Sequence, residues 1–306
     1  MKIFTSTSDA KSFFKKGSAI AIGNYDGIHL GHQAILNALK KTAKKLHLKT
    51  GLLTFEPHPA KVLAPNAALQ LINTREQKIE ILRDLGLDAV ILHTFTPRFA
   101  QTTASAFFTR HLLHALNSKS LFVGHDFTFG DKRSGTIETL EVLSYQHRID
   151  THIVPAQMLA NTLVSSSLIR KLIREGNLRL ASKLLTREYF IDGTVVHGQH
   201  RGTALGVHTA NLATANELIP ADGVYATRTR VGRTTYQSVT NIGMNPTFDN
   251  TVRTIETHIF EFDQDIYDKS VRVFFVERLR DEIRFATPAA LLKQIEKDLL
   301  RAKEIL

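Results

Sequence analysis

The chain has no cysteine among its 306 residues. That excludes disulfides, thiolate catalysis and cysteine-built zinc sites. It has no apolar run long enough to cross a bilayer and no G-x-G-x-x-G or H-E-x-x-H motif. The segment "GHDFTFGDK" is no P-loop, because five residues separate its glycines and Asp-Lys stands in place of Lys-Ser/Thr. Nothing in the sequence groups a hydrolase triad, and no internal repeat or low-complexity segment is present. The opening "MKIFTSTSDAKSFFKKGS" lacks the apolar region of a signal peptide, so a reduced, cytoplasmic location is expected.

What the chain does have is size and positive charge. Its length and 43% hydrophobic content can supply the cores of two domains. The formal charge of +10 suits an anionic partner, either nucleotide phosphates or nucleic acid. The lysines of "KKTAKK" (40–45) form one solvated helix face, with Ile35, Ala38, Leu39 and Leu46 opposite. No repeated Lys/Arg–aromatic pattern argues for RNA, and neither nucleic acid nor a membrane is expected as a partner. The sequence leaves a homo-oligomer open.

Two textures divide the chain. From residue 18 to about 160, the strand-like runs "AIAIG", "TGLLTF", "DAVILHTF", "SLFVG" and "THIVPA" alternate with helical stretches near 30–48, 74–86, 102–116 and 136–147. This predicts an α/β domain with a parallel sheet, whose ligands bind at the carboxyl ends of the strands. Beyond "VSSSLIRKLIREGNLRLASKLL" (164–185), read as two short helices, the runs "YFIDGTVVHG", "GVYATRTRV", "TTYQSVTNIG", "TIETHIFEFD" and "SVRVFFVERL" are joined by turns. They predict an antiparallel sheet or β-barrel. A terminal helix follows, with Thr287 as N-cap and Pro288 at its first position. The expected domains are 1–185 and 186–306.

The chemistry concentrates after the first of these strands, in "GNYDGIHLGH" (23–32). His29 and His32 are three apart and share a face in the first turn of a helix. A helix start presents free N–H groups and the positive end of the dipole to phosphate. Gly27 and Gly31 leave room for a ligand, and Asp26 is placed to cap the helix or hold the loop. The arrangement makes a cradle for a polyphosphate, with imidazoles donating to oxygens that gain charge during transfer.

This pattern resembles nucleotidyltransferases that join a phosphate to the α-phosphorus of ATP. Four blocks in order, "GNYDGIHLGHQAIL", "LLTFEPHPAKVL", "LFVGHDFTFGDKRSGT" and "VSSSLIRKLIREGNLRLASKLL", sharpen it. They are similar to the bacterial bifunctional riboflavin kinase/FMN adenylyltransferases, across nearly the whole chain. The resemblance implies a Rossmann-like first domain and a kinase-like barrel. It also implies ATP as co-substrate, riboflavin and FMN as substrates, FMN and FAD as products, and Mg²⁺.

By that resemblance Gly23, Asn24, Asp26, His29, Gly31 and His32 contact ATP, and Ser166 and Arg170 close over its phosphates. His29, His32 and Arg170 serve the transfer itself; arginine suits this task because it is always charged and binds phosphate through paired hydrogen bonds. Ser167 stands where the family usually has threonine. His58 and Asp126 belong to the flavin side. In the second half, "HGQHRGTALGVHTANL" (197–212) resembles the kinase signature, with Thr209 and Asn211 as ligands of Mg²⁺ and the ATP phosphates. Two apart in an extended segment, they point to one side. Glu256, sharing a strand face with His258, Phe260 and Phe262, matches the base that deprotonates riboflavin. The family normally carries Phe-Pro where this chain has Val207-His208, so a loss of loop preorganisation is expected. The alternative is an adenylyltransferase with an impaired or regulatory barrel; a more remote one is a basic nucleic-acid-binding protein.

Overall fold

In the computed structural model, every residue of Ser18–Ile22 is buried, as a strand covered on both faces requires. The structure describes residues 1–198, 208–246, 251–283 and 285–306. They form two compact units, Met1–Gln70 with Arg75–Ser165, and Leu71–Thr74 with Ser166–Leu306.

The first unit contains β1 (Lys2–Phe4), β2 (Ser18–Ile22), β3 (Lys49–Glu56), β4 (Ala89–Thr94), β5 (Ser118–Gly124) and β6 (Asp150–Val154), followed by a hairpin of β7 (Met158–Leu159) and β8 (Thr162–Leu163). The six long-range strands pair in parallel in the order β1-β4-β3-β2-β5-β6. The five strands expected from sequence are all present; β1, only three residues long, is additional. Helices α1 (Thr7–Ala10), α2 (Leu30–Leu46), α3 (Pro59–Leu63), α4 (Arg75–Asp84), α5 (Pro97–Ala100), α6 (Ala104–Phe107) and α7 (Ile137–Gln146) connect them. The expected helix near 102–116 is instead α6, capped by Thr103, running into a π-helical stretch over Phe108–Ala115. Two apolar clusters complete the layers. One gathers Phe14, Phe107, Phe108, Leu112 and Phe129, and the other joins Ile35, Leu36 and Leu39 of α2 to Leu82 of α4. Strand order reverses between β2 and β5, and that crevice is where open α/β sheets bind ligands.

The second unit begins with α8 (Ser166–Arg174) and α9 (Leu178–Leu185). Its barrel is formed by β9 (Tyr189–Val196), β10 (Ala210–Thr214), β11 (Gly223–Val231), β12 (Thr234–Pro246), β13 (Thr251–Ile259) and β14 (Ser270–Arg280), closed in the order β10-β13-β12-β11-β14-β9 with every pair antiparallel. Its interior holds a file of buried hydroxyls: Thr229 meets Ser238 at 2.8 Å, Ser238 meets Thr227 at 2.8 Å, and Thr240 lies 2.9 Å from both Thr227 and Thr257. Because each hydroxyl partners another, the polar interior is satisfied. The last helix, α10 (Pro288–Ile305), is capped by Thr287, whose hydroxyl accepts from Ala290 N, as expected. The Arg280–Asp298 ion pair ties α10 to β14.

Candidate active sites

The first site grows from the exit of β2. Three residues of Tyr25–Ile28 have positive φ, Tyr25 at 51°, Gly27 at 87° and Ile28 at 44°. Such backbone persists only where its surroundings over-determine it. Here they do: Thr54 Oγ1 and Lys78 Nζ both donate to the Asn24 carbonyl, at 2.9 and 3.2 Å, and Gln33 Nε2 donates to Ile28 O at 3.0 Å. Asp26 does not cap α2. His29 does, its Nδ1 accepting the His32 N–H at 3.4 Å, because an extended residue before the helix presents any short-reach acceptor to that N–H. As the acceptor, Nδ1 carries no proton, so the neutral ring is protonated on Nε2.

His29 and His32 stack with ring centres 3.7 Å apart, and Tyr25 stacks on His32 at 4.6 Å. His29 is 6% exposed and Asp26 2%. The glycines serve this stack. A Cβ on Gly31 would press the His29 ring at 3.2 Å, and one on Gly23 the Tyr25 ring at 3.1 Å. Gly31 therefore also makes room for the His29 imidazole. Burial pushes the Tyr25 phenol up from its ordinary range.

Around this loop, Asp126 lies exposed just beyond β5, where a Cβ on Gly124 would meet Asp126 Oδ1 at 3.3 Å and Ile35 of α2 at 3.7 Å. The exit of β5 thus lies against the helix that His29 opens. His58 is buried and caps α3, its Nδ1 accepting from Ala60 N at 3.2 Å. Ser166 and Arg170 stand on α8, within the second compact unit; Arg170 is buried and Ser166 half-buried. A cavity of about 670 Å³ opens beyond β4, lined by Thr94, Thr96, Arg98, Thr102, Arg110 and His111. His111 accepts or donates to Thr7 Oγ1 at 2.7 Å, and burial, then His93 and Arg110, hold its pKa down to about 4.

The second site is a cleft of about 1080 Å³ on the barrel. Asn211 on β10 pairs in register with Glu256 on β13, and Thr209 lies just before β10 in the same cleft. The three expected residues are thereby brought together. Glu256 is half-buried beside Thr254, whose hydroxyl donates to Oε1 at 3.4 Å. Alternation along β13 puts His258 and Phe260 on the side of Glu256: their rings lie 5.8 Å apart, and Phe260 continues the ladder by donating its N–H to Gln237 O as it enters the cluster under α10. Phe262 lines the cleft. A Cβ on Gly198 would overlap the Asn211 amide. His258 Nδ1 donates to His208 O at 2.8 Å, holding the residue before Thr209. Residues 199–207, including Val207, lie outside the described residues. Tyr25 in "GNYDG", Thr54 in "LLTFEPHP" and Thr254 in "TIETHIFEFD" stand inside motif or strand segments whose pattern assigns them no role, and Lys78 stands in no motif.

Residues 11–168 match the FAD synthetase family and residues 185–306 the riboflavin kinase family. The bifunctional riboflavin kinase/FMN adenylyltransferase of Haemophilus influenzae is 36% identical over 290 residues, 94% of each chain. That of Escherichia coli K12 is 32% identical over 305 residues, 99% of this chain and 97% of its own. A solved structure described as a macrolide-efflux protein of Streptococcus pneumoniae shares the fold, with a TM-score of 0.90, 31% identity and 98% coverage of both chains. Among the described residues, no helix is long and apolar enough to cross a membrane. By family and by near full-length similarity, the chain belongs to the bifunctional riboflavin kinase/FMN adenylyltransferases.

Proposed function

We propose that the two reactions of this family divide between two domains, residues 1–185 adenylating FMN and residues 186–306 phosphorylating riboflavin. In the first, an oxygen of the FMN phosphate attacks the α-phosphorus of ATP; the bond to the β-phosphate oxygen breaks and pyrophosphate leaves with FAD formed. No protein nucleophile is required. Gly23, Asn24, Asp26, Gly31 and the start of α2 receive the nucleotide. His29, with its proton on Nε2, and His32 donate to oxygens that gain charge, and preorganised donors of this kind supply much of a transfer enzyme's rate. Ser166 and Arg170 serve the phosphates, and His58 and Asp126 the flavin.

In the second, Glu256 takes the proton of the riboflavin 5′-hydroxyl, whose oxygen attacks the γ-phosphorus of ATP as ADP leaves. Positioning and charge neutralisation are the main tasks left to the protein. Thr209 and Asn211 would hold Mg²⁺, which neutralises phosphate charge when bound. The donor set fits: neutral oxygens beside one carboxylate suit a hard cation that keeps few protein ligands. Consistent with that, no group of three or more His, Cys, Asp or Glu side chains able to hold a metal occurs among the described residues. The cysteine-free composition supports a cytoplasmic place for both steps.

The observation that carries the kinase assignment is the register of Asn211 opposite Glu256 at the wall of the cleft. It favours a working barrel over a merely regulatory one. Incubation with riboflavin, ATP and Mg²⁺ followed by chromatography should show both FMN and FAD. An unchanged riboflavin peak would retire the kinase.

A further inference from the structure

Lys78 is the anomaly of the first unit. It lies on α4, in the charged stretch "REQKIEILRD", yet is 3% exposed. Its ammonium donates to the carbonyl of Asn24, the residue at which the β2 exit leaves the sheet. Burial pulls its pKa below the usual lysine range, while the Asp26 and Glu56 carboxylates oppose that pull. A buried ammonium is expensive unless an opposite charge compensates it, and here the buried Asp26 carboxylate does so; removing one member would leave the other uncompensated. Charge balance accounts for a cation near Asp26 but not for its donation to the loop backbone.

The loop supplies a reason for that donation. Asn24 is followed by the positive-φ residues Tyr25, Gly27 and Ile28 and then by the stacked rings of His29 and His32. Thr54, from β3, and Lys78, from α4, converge on one oxygen at the base of this run. A loop held at its base by two donors and at its end by Gln33 has one conformation available. Releasing the base lets the strained segment relax, and the two imidazoles move with it.

We propose that Lys78 is a positioning residue of adenylyl transfer: by pinning the Asn24 carbonyl it fixes the loop that aims His29 and His32. This rests on the reading of Gly23–His32 as the nucleotide site. The test is Lys78→Met and Lys78→Arg in the full chain, with both reactions and thermal unfolding measured. Misplacing a reacting group by about 1 Å can cost about 10²-fold. K78M should thus lower kcat for FMN adenylation by roughly that factor, with a smaller change in KM for ATP. Its midpoint should fall, because Asp26 loses its compensating cation, whereas riboflavin phosphorylation, measured below that midpoint, should stay within about twofold. K78R, which keeps the charge and a donor, should recover about tenfold of the loss.

Three outcomes would overturn the proposal. One is adenylation by K78M within about threefold of the parent. Another is both reactions falling together below that midpoint, which marks a structural role. The third is K78R no better than K78M. Should K78M be too unstable to assay, Thr54→Val removes the other donor to the same carbonyl and should lower kcat alone, by severalfold; an unchanged kcat would again refute the pinning. If His32→Ala leaves adenylation intact, the nucleotide reading itself fails, independently of Lys78.

Discussion

The two sites reach phosphate chemistry by opposite construction. In the α/β unit the working parts sit on a loop with three positive-φ residues, held by donors to its own backbone and by a stack of three rings. In the barrel they sit on regular strands, where Asn211 faces Glu256 through register alone and a file of hydroxyls fills the interior. In the proposed reading the first arrangement aims its imidazoles at a polyphosphate, and the second sets Glu256 as base beside the oxygens of Thr209 and Asn211. A loop site is sensitive to remote anchors. A strand site is sensitive to what its neighbours pack against.

Substitutions should separate the two. Glu256→Gln should suppress FMN formation by about 10²–10⁴-fold, the range for removing a general base, while FMN-to-FAD conversion is spared. His29→Ala and His32→Ala should do the reverse, lowering adenylation by about 10²–10³-fold with the kinase intact, as measured by separate assays of each half-reaction. Loss of both activities by either replacement in a folded chain would break the comparison.

A smaller effect is expected in the barrel interior. Thr240→Val leaves Thr227 and Thr257 short of a partner and should cost about 1–3 kcal/mol, read from the urea midpoint of the barrel unit. The smallest concerns pH. Burial, His93 and Arg110 hold His111 at about 4 in the folded chain, against about 6.5 when unfolded. Between those values the unfolded state binds more protons, so stability rises with pH from about 4 to about 6.5 and is lost on acidification through that window. His111→Gln should flatten the thermal midpoint across the same interval.

Much of this was legible from residues alone. Strand–helix alternation gave the parallel sheet because a strand buried on both faces must be apolar throughout, as Ser18–Ile22 nearly is. Turn-separated runs gave the barrel, and H-x-G-H after a strand gave the loop that opens α2. Other features depend on partners distant in sequence. Lys78 looks like any solvated lysine, since its burial is set by contact with Asn24, 54 positions away. The capping role went to His29 rather than Asp26 because it depends on backbone angles that side-chain preference does not report. β1 is too short to show a period.

Independence of the two sites is tested most directly by mixing variants. E256Q alone and H32A alone, each given riboflavin, ATP and Mg²⁺, should make FAD at least about 10²-fold more slowly than the parent, whereas an equimolar mixture should make it far faster than either, through FMN released by H32A. FAD from either variant alone at near the parent rate, or no gain in the mixture when each still performs its spared half-reaction, would contradict two separate sites joined by free FMN.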